Sequence, residues 1–240
     1  MKTYIVYLSQ NEFSNKMAKE TIESLKPFNI EYELFDGVVG KDGIEVLESH
    51  NRFPSAYINQ NQWTDGTIGC LASHYLLWDK CSKQSEPFLI LEQDAIVVRD
   101  PREILNNIDK ICHLDAINPF DLDRENHFDY YNSQIEISTP GVSKYPTNKF
   151  YGEKVSKIVP DGSFRGTYGY IITPKGAQDI INWTKNHGVL PSDACLNHQA
   201  THLQRSNSTY VRLNPFFTTL EIQAKYSLRK KDYDFNKKTT

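Results

Sequence analysis

Two carboxylates spaced i, i+2, Glu92 and Asp94, close the apolar run Phe88-Leu89-Ile90-Leu91, and chemistry is to be sought there first. Pro87 introduces the run, and a continuous apolar segment of this length reads as a strand buried on both faces, as in the middle of a parallel sheet. Acids do not belong inside such a strand. In an open α/β sheet, ligands bind outside the carboxyl ends of the strands, which is where Glu92 and Asp94 stand. A carboxylate pair there can hold a hard divalent cation such as Mg²⁺ or Mn²⁺, which takes one or two carboxylates together with substrate phosphates. The plainer reading has Asp94 capping a turn and Glu92 solvated, since turn-forming strand ends are often acidic.

Two further places carry chemistry-bearing residues. Leu190-Pro191-Ser192-Asp193 opens a helix with Ser192 or Asp193 near its cap. On that helix His198 and His202 fall i, i+4 and share a face, a spacing that suits a metal or a solvated pair equally. Phe13, Tyr168 and Tyr170 either stack on a sugar or base or pack into the core, the commoner fate of strand aromatics.

The elements that must position these groups follow from periodicity. Residues 3–8 read as a strand, 14–26 as a helix with Met17, Ile22 and Leu25 on one face, and 32–35 as a second strand ending on Asp36-Gly37. This β-α-β opening with short loops predicts a parallel sheet with right-handed crossovers. Residues 41–65 have no clear period and read as irregular structure over the sheet edge. Asp65 is the expected N-cap of a helix whose stripe is Ile68, Leu71, Ala72, Tyr75 and Trp78. Asp100-Pro101 opens another helix, residues 113–117 form a short strand, and an acidic stretch follows at 121–125. Residues 138–165 are rich in Pro, Gly and Lys, with one strand-like piece at 155–159, and long segments of this kind are functional lids or disordered. Order resumes with a strand at 166–173, whose glycines mark a close approach by a ligand or another backbone, followed by a helix from Pro174.

Composition sets the class. At 240 residues, with 39% hydrophobic and 24% charged, the chain can bury a full core and is globular rather than disordered. A net charge of -3 does not suggest a nucleic-acid binder. No apolar run approaches the ~20 residues that span a bilayer, and residues 1–7 are too short for a signal peptide and read as the first strand. Cys70, Cys81, Cys112 and Cys195 lie far apart without a Cys-x-x-Cys pair, so they are expected to be reduced thiols in a cytoplasmic protein. The last residues carry Lys225, Arg229, Lys230, Lys231, Lys237 and Lys238 against Asp232 and Asp234, either a solvated tail or a contact with an anionic membrane surface or nucleic acid.

Three blocks, Gly66-Thr67-Ile68-Gly69-Cys70-Leu71-Ala72-Ser73-His74, Pro87-Phe88-Leu89-Ile90-Leu91-Glu92-Gln93-Asp94-Ala95 and Gly166-Thr167-Tyr168-Gly169-Tyr170-Ile171-Ile172, together resemble glycosyltransferase family 25 in order and spacing. Phe35-Asp36-Gly37-Val38 also looks like the family's first β-α-β unit. The resemblance implies an α/β, GT-A-like fold: one Rossmann-type domain over residues 1–220 with a mixed, mostly parallel sheet flanked by helices, and a basic tail at 221–240. It further implies a UDP-sugar donor, a Mn²⁺ or Mg²⁺ ion at Asp94 and Glu92, and transfer to an acceptor hydroxyl. Leu8, Ser9, Gln10, Asp36 and Gly37 are expected to hold the base and ribose, with His74, Glu92, Thr167 and Tyr168 also on the donor. Asp193 matches an acid that follows a proline in the family, and it is the expected general base of an inverting reaction. The family usually has Glu-Asp-Asp where this chain has Glu92-Gln93-Asp94, which keeps both outer carboxylates.

The leading expectation is therefore a metal-dependent inverting glycosyltransferase that moves galactose or glucose from UDP to a bacterial surface saccharide such as lipooligosaccharide, in the cytoplasm or at the inner membrane surface. A virus-type transferase acting on hydroxylated bases in DNA is the variant that the basic tail and the lysines at 144–157 would suit. A catalytically inactive carbohydrate-binding or scaffold protein on the same fold is the alternative of another class, and Gln93 is the feature that favours it.

Overall fold

The structure, a computed structural model, describes residues 1–54, 63–116, 141–144, 166–196 and 203–214, and among these nine short strands form, the central ones from apolar runs bounded by turn residues. In chain order the elements are β1 (Lys2–Tyr7), α1 (Glu12–Leu25), β2 (Glu33–Asp36), α2 (Asp42–Ser49), α3 (Asp65–Ser82), β3 (Phe88–Glu92) and β4 (Ala95–Val97). A 3₁₀ helix, Pro101–Asn107, follows, then β5 (Ile111–His113), β6 (Val142–Lys144), β7 (Gly169–Ile172), α4 (Pro174–His187), α5 (Ser192–Leu196), β8 (Gln204–Ser206) and β9 (Val211–Leu213).

Seven strands form one sheet in the order β2-β1-β3-β7-β5-β8-β6, and β4 and β9 pair separately. Strands β2, β1, β3, β5 and β8 run one way, while β7 and β6 run the other. The described sheet is thus mixed with mostly parallel strands, flanked by helices, as the sequence predicts. Phe88, Leu89, Ile90 and Leu91 are fully buried, which a strand can be only when both faces of its sheet are covered.

The register sets the site. Opposite the end of β1, Tyr7 pairs with Asp36 on one side and Val6 with Glu92 on the other. Because β7 is antiparallel to β3, its first residue, Gly169, lies opposite Leu91, and the Glu92 N–H donates to the Tyr168 carbonyl at 2.9 Å. The residues that precede β7 are thereby delivered to the carboxylate.

α3 is buried nearly all round, which explains why no single stripe describes it. It packs against α2, α4 and α5. Its N-cap is Thr64, whose hydroxyl accepts from the Thr67 N–H, one residue ahead of the expected Asp65. Residues 41–65 are not irregular throughout: Ile44 and Leu47, three apart, bury one face of α2 against α3. After Asp100 the chain forms a 3₁₀ helix rather than an α-helix, with the Asp100 side chain accepting from the Arg102 N–H. The glycine in β7 has a clear cause, since a Cβ at Gly169 would overlap the Val211 side chain of β9. The acidic stretch at 121–125, the strand-like piece at 155–159, the lysines beyond Lys144 up to 157, His198, His202 and the basic tail lie outside the described residues.

Candidate functional site

Short polar residues follow each parallel strand, and their hydrogen bonds build two adjoining corners. At the first, the Ser9 N–H donates to Asp36 Oδ1 at 2.9 Å and the Ser9 hydroxyl to Oδ2 at 2.5 Å, while the Gly37 N–H donates to the Tyr7 carbonyl at 2.6 Å. Leu8, Ser9, Asp36 and Gly37 therefore meet where β1 and β2 end, with Gln10 exposed in the turn beside them. A Cβ on Gly37 would stand 3.1 Å from the Tyr7 carbonyl and 3.2 Å from the Ser73 hydroxyl, so glycine keeps the two strand ends in contact with α3. Ser73 accepts from the Val38 N–H at 2.8 Å and donates to the Gly69 carbonyl at 2.7 Å.

The second corner surrounds Glu92. Its Oε1 accepts from the Thr167 hydroxyl, lies 3.2 Å from His74 Nε2 and receives the Cys70 thiol at 4.0 Å. Cys70 Sγ is also 3.2 Å from Ser192 Oγ and 3.8 Å from Thr167 Oγ1. Behind this group, His74 Nδ1 is 2.8 Å from the Tyr170 hydroxyl, which also accepts from Trp78 Nε1–H at 2.8 Å. Burial alone would depress the His74 pKa, but Tyr170, Cys70 and Glu92 outweigh it and hold the imidazole well above its ordinary value. Burial pushes the Tyr170 hydroxyl up to about 12.

Gln93 and Asp94 complete the strand end. The Ser14 hydroxyl donates to Gln93 Oε1 while accepting from the Leu8 N–H at 2.7 Å, and Thr21 donates to the Gln93 carbonyl at 2.7 Å. Gln93 therefore fastens β3 to α1 and to the first corner. Asp94 is partly exposed where the chain turns into β4, and its carbonyl accepts from the Asn214 N–H at 2.7 Å. On α5, Asp193 Oδ1 accepts from the Ala194 N–H at 2.8 Å and Oδ2 from the Gly166 N–H at 3.4 Å, which ties it to the chain entering β7.

Residues 1–196 match the sequence profile of glycosyltransferase family 25, described as an LPS biosynthesis protein. The chain belongs to glycosyltransferase family 25. Lipooligosaccharide biosynthesis protein lex-1 of Haemophilus influenzae is 27% identical over 177 residues, 68% of this chain and 52% of that protein. Lipooligosaccharide biosynthesis protein lic2B of Haemophilus influenzae is 23% identical over 163 residues, 66% of this chain and 57% of its own. The chain thus spans about half the length of the curated relatives it matches. Among solved structures, mouse xyloside xylosyltransferase 1 in its apo form aligns with a TM-score of 0.39 and 12% identity over 82% of this chain and 80% of that one, a likeness too remote to support any argument.

For a family 25 chain, the departure at Gln93 falls on a side chain that accepts a hydrogen bond from α1, a task that a neutral amide oxygen performs as an aspartate would. The residues expected on the donor divide between the corners: Leu8, Ser9, Gln10, Asp36 and Gly37 at the first, His74, Glu92 and Thr167 at the second. Tyr168 reaches the second corner only through its carbonyl, which accepts from the Glu92 N–H; its side chain is buried away from it, the hydroxyl donating to Asp115 at 2.9 Å. His74 is fully buried beneath Glu92 rather than at the surface. Sequence reasoning passed over Cys70 and Tyr170 as partners of Glu92 and His74, and over Ser192 and Trp78, which hold Cys70 and Tyr170 in turn. The signal for one of them was present, since Cys70 and His74 are i, i+4 on α3. All four cysteines are free, and burial raises the Cys81 and Cys195 thiols to about 12, so both stay protonated and unreactive.

Proposed function

We propose that this family 25 chain is a metal-dependent, inverting glycosyltransferase that transfers galactose or glucose from UDP to a hydroxyl of a saccharide of the lipooligosaccharide type. The observation that carries this reading is the meeting of Ser9 and Asp36 with the strand end of Glu92 and Asp94, in a chain whose relatives are named for lipooligosaccharide biosynthesis. Short polar groups and bare backbone at the first corner suit the base and ribose, and the carboxylates at the second suit the diphosphate end.

The residues fit a hard cation. Asp94 offers carboxylate oxygen at the strand end, and a carboxylate with the donor's own phosphates is the set that Mg²⁺ or Mn²⁺ uses, Glu92 supporting it from β3. A divalent cation bound there neutralises charge that grows on the diphosphate as the glycosidic bond breaks. Asp193 takes the proton of the acceptor hydroxyl while that oxygen bonds to the anomeric carbon and the carbon–diphosphate bond breaks, its electron pair leaving with UDP. No described helix is long and apolar enough to cross a membrane. The free thiols support a reducing, cytoplasmic setting, at the inner membrane surface where the acceptor is a lipid-linked saccharide.

Incubation with UDP-galactose or UDP-glucose, Mn²⁺ and a saccharide acceptor should release UDP in a Mn²⁺-dependent way. Absence of both hydrolysis and transfer with every UDP-sugar, together with no metal-dependent UDP binding, would sink the enzyme reading in favour of an inactive scaffold.

A further inference from the structure

Cys70, His74 and Glu92 bring a thiol, an imidazole and a carboxylate to one point, all ligand atoms lying within 4.8 Å of one another. We propose that these three residues form a site for a thiophilic divalent cation, zinc foremost, which shares only Glu92 with the hard-cation site at Asp94 and is independent of whether the chain transfers sugar.

The distances favour it. Tetrahedral zinc, with Zn–S about 2.3 Å and Zn–N or Zn–O about 2.0–2.1 Å, sets its ligand atoms roughly 3.3–3.6 Å apart. His74 Nε2 and Glu92 Oε1 are 3.2 Å apart, Cys70 Sγ and Oε1 4.0 Å, and all three ligand atoms lie within 4.8 Å of one another, so the trio closes onto an ion by side-chain adjustment alone. The i, i+4 spacing on α3 turns Cys70 and His74 to one face, and the end of β3 supplies the third ligand.

Charge and surroundings agree. A thiolate, a carboxylate and a neutral imidazole sum to two negative charges, which zinc cancels, so the occupied centre is neutral where an unbalanced charge would be costly. Binding releases the Cys70 thiol proton, and any proton on His74 Nε2, to solvent. The other nitrogen, Nδ1, already meets the Tyr170 hydroxyl, which Trp78 holds in turn, the outer support that a metal-binding histidine needs to fix its ring. The hydroxyls of Ser192 and Thr167, 3.2 and 3.8 Å from Sγ, flank the fourth position, which one of them or a water takes. Soft sulfur selects zinc over Mg²⁺ or Mn²⁺. The bound ion pins α3 to the end of β3.

The test uses the whole chain, stripped with a chelator and titrated with Co²⁺. Binding at this site gives a thiolate-to-cobalt charge-transfer band in the near ultraviolet that saturates at one equivalent and is displaced by Zn²⁺. Cys70→Ser should abolish the band and His74→Gln should weaken binding about tenfold or more, whereas Asp94→Asn should leave the band in place. A band that persists in Cys70→Ser, or disappears in Asp94→Asn, overturns the assignment. Alkylation of the unaltered protein needs no variant: Cys70 is partly exposed and the other three thiols are buried, so Zn²⁺ should protect Cys70 from iodoacetamide. If Cys70 reacts equally fast with and without Zn²⁺, and Co²⁺ gives no band, the trio is a hydrogen-bonded network and nothing more.

Discussion

Asp94 and Asp193 are assigned different work, so removing each charge should produce separable defects. Asp94→Asn is expected to lose Mn²⁺-dependent UDP binding, measured by calorimetry, and with it turnover. Asp193→Asn should keep UDP binding and lose turnover by about 10²–10⁴-fold, the usual worth of a positioned base; full activity in either variant would misplace the site. Tyr170→Phe tests the support beneath Glu92, since it strips a partner from both His74 Nδ1 and Trp78 Nε1 in a fully buried place. Leaving such groups unsatisfied should cost about 1–3 kcal/mol in urea denaturation. The sequence displayed Glu92, Asp94 and His74 by type and position. It could not display the Trp78–Tyr170 bond, which joins residues 92 apart and depends on β7 lying beside β3.

Among the elements, α3 binds the two corners together, through Ser73 at one and Cys70 with His74 at the other. Its close approach to the loop after β2 depends on Gly69, where a Cβ would lie 2.5 Å from the Val38 carbonyl oxygen and 2.8 Å from the Gly40 nitrogen. Both obstacles are backbone and cannot swing aside. Gly69→Ala should therefore destabilise the fold by about 1–3 kcal/mol despite alanine's better helix propensity, and an unchanged denaturation midpoint would refute the packing argument. The strand β3 and the starts of α3 and α4 were legible to within a residue or two, because an apolar run, a capping residue and a proline at the first position mark them. α2 was lost among polar neighbours, and the three-residue strands β4, β6, β8 and β9 are too short to show any period.

For the molecule as a whole, a buried histidine sets a limit in acid. His113 lies in β5 near the middle of the sheet, and burial holds its pKa well below the ordinary range against a smaller upward pull from the Gly166 backbone. The folded chain keeps it neutral while the unfolded chain protonates it below about pH 6.5, so its contribution is present above that pH and lost as pH falls. His74, with its pKa raised, works in the opposite sense, and the contribution of His113 is read by difference. Urea midpoints taken from about pH 7 to 5 should drop less steeply for His113→Gln than for the unaltered protein; parallel curves would contradict this assignment. The β-α-β opening announced an α/β architecture, but nothing in residues 166–173 announced direction, since apolar strands read alike whichever way they run.

That reversed direction of β7 has a consequence for divergence. In a wholly parallel sheet, every loop at the binding edge follows a strand, whereas here the chain arriving at Gly166 comes to the same edge before its strand begins. Residues 166–168, which enter β7, meet Glu92 and Asp193 without belonging to a strand, so exchanging side chains there alters the site while leaving the described strand registers in place. Two chains that share this sheet are freest to differ in preference there, and least free in the helix that leaves from the far end of β7.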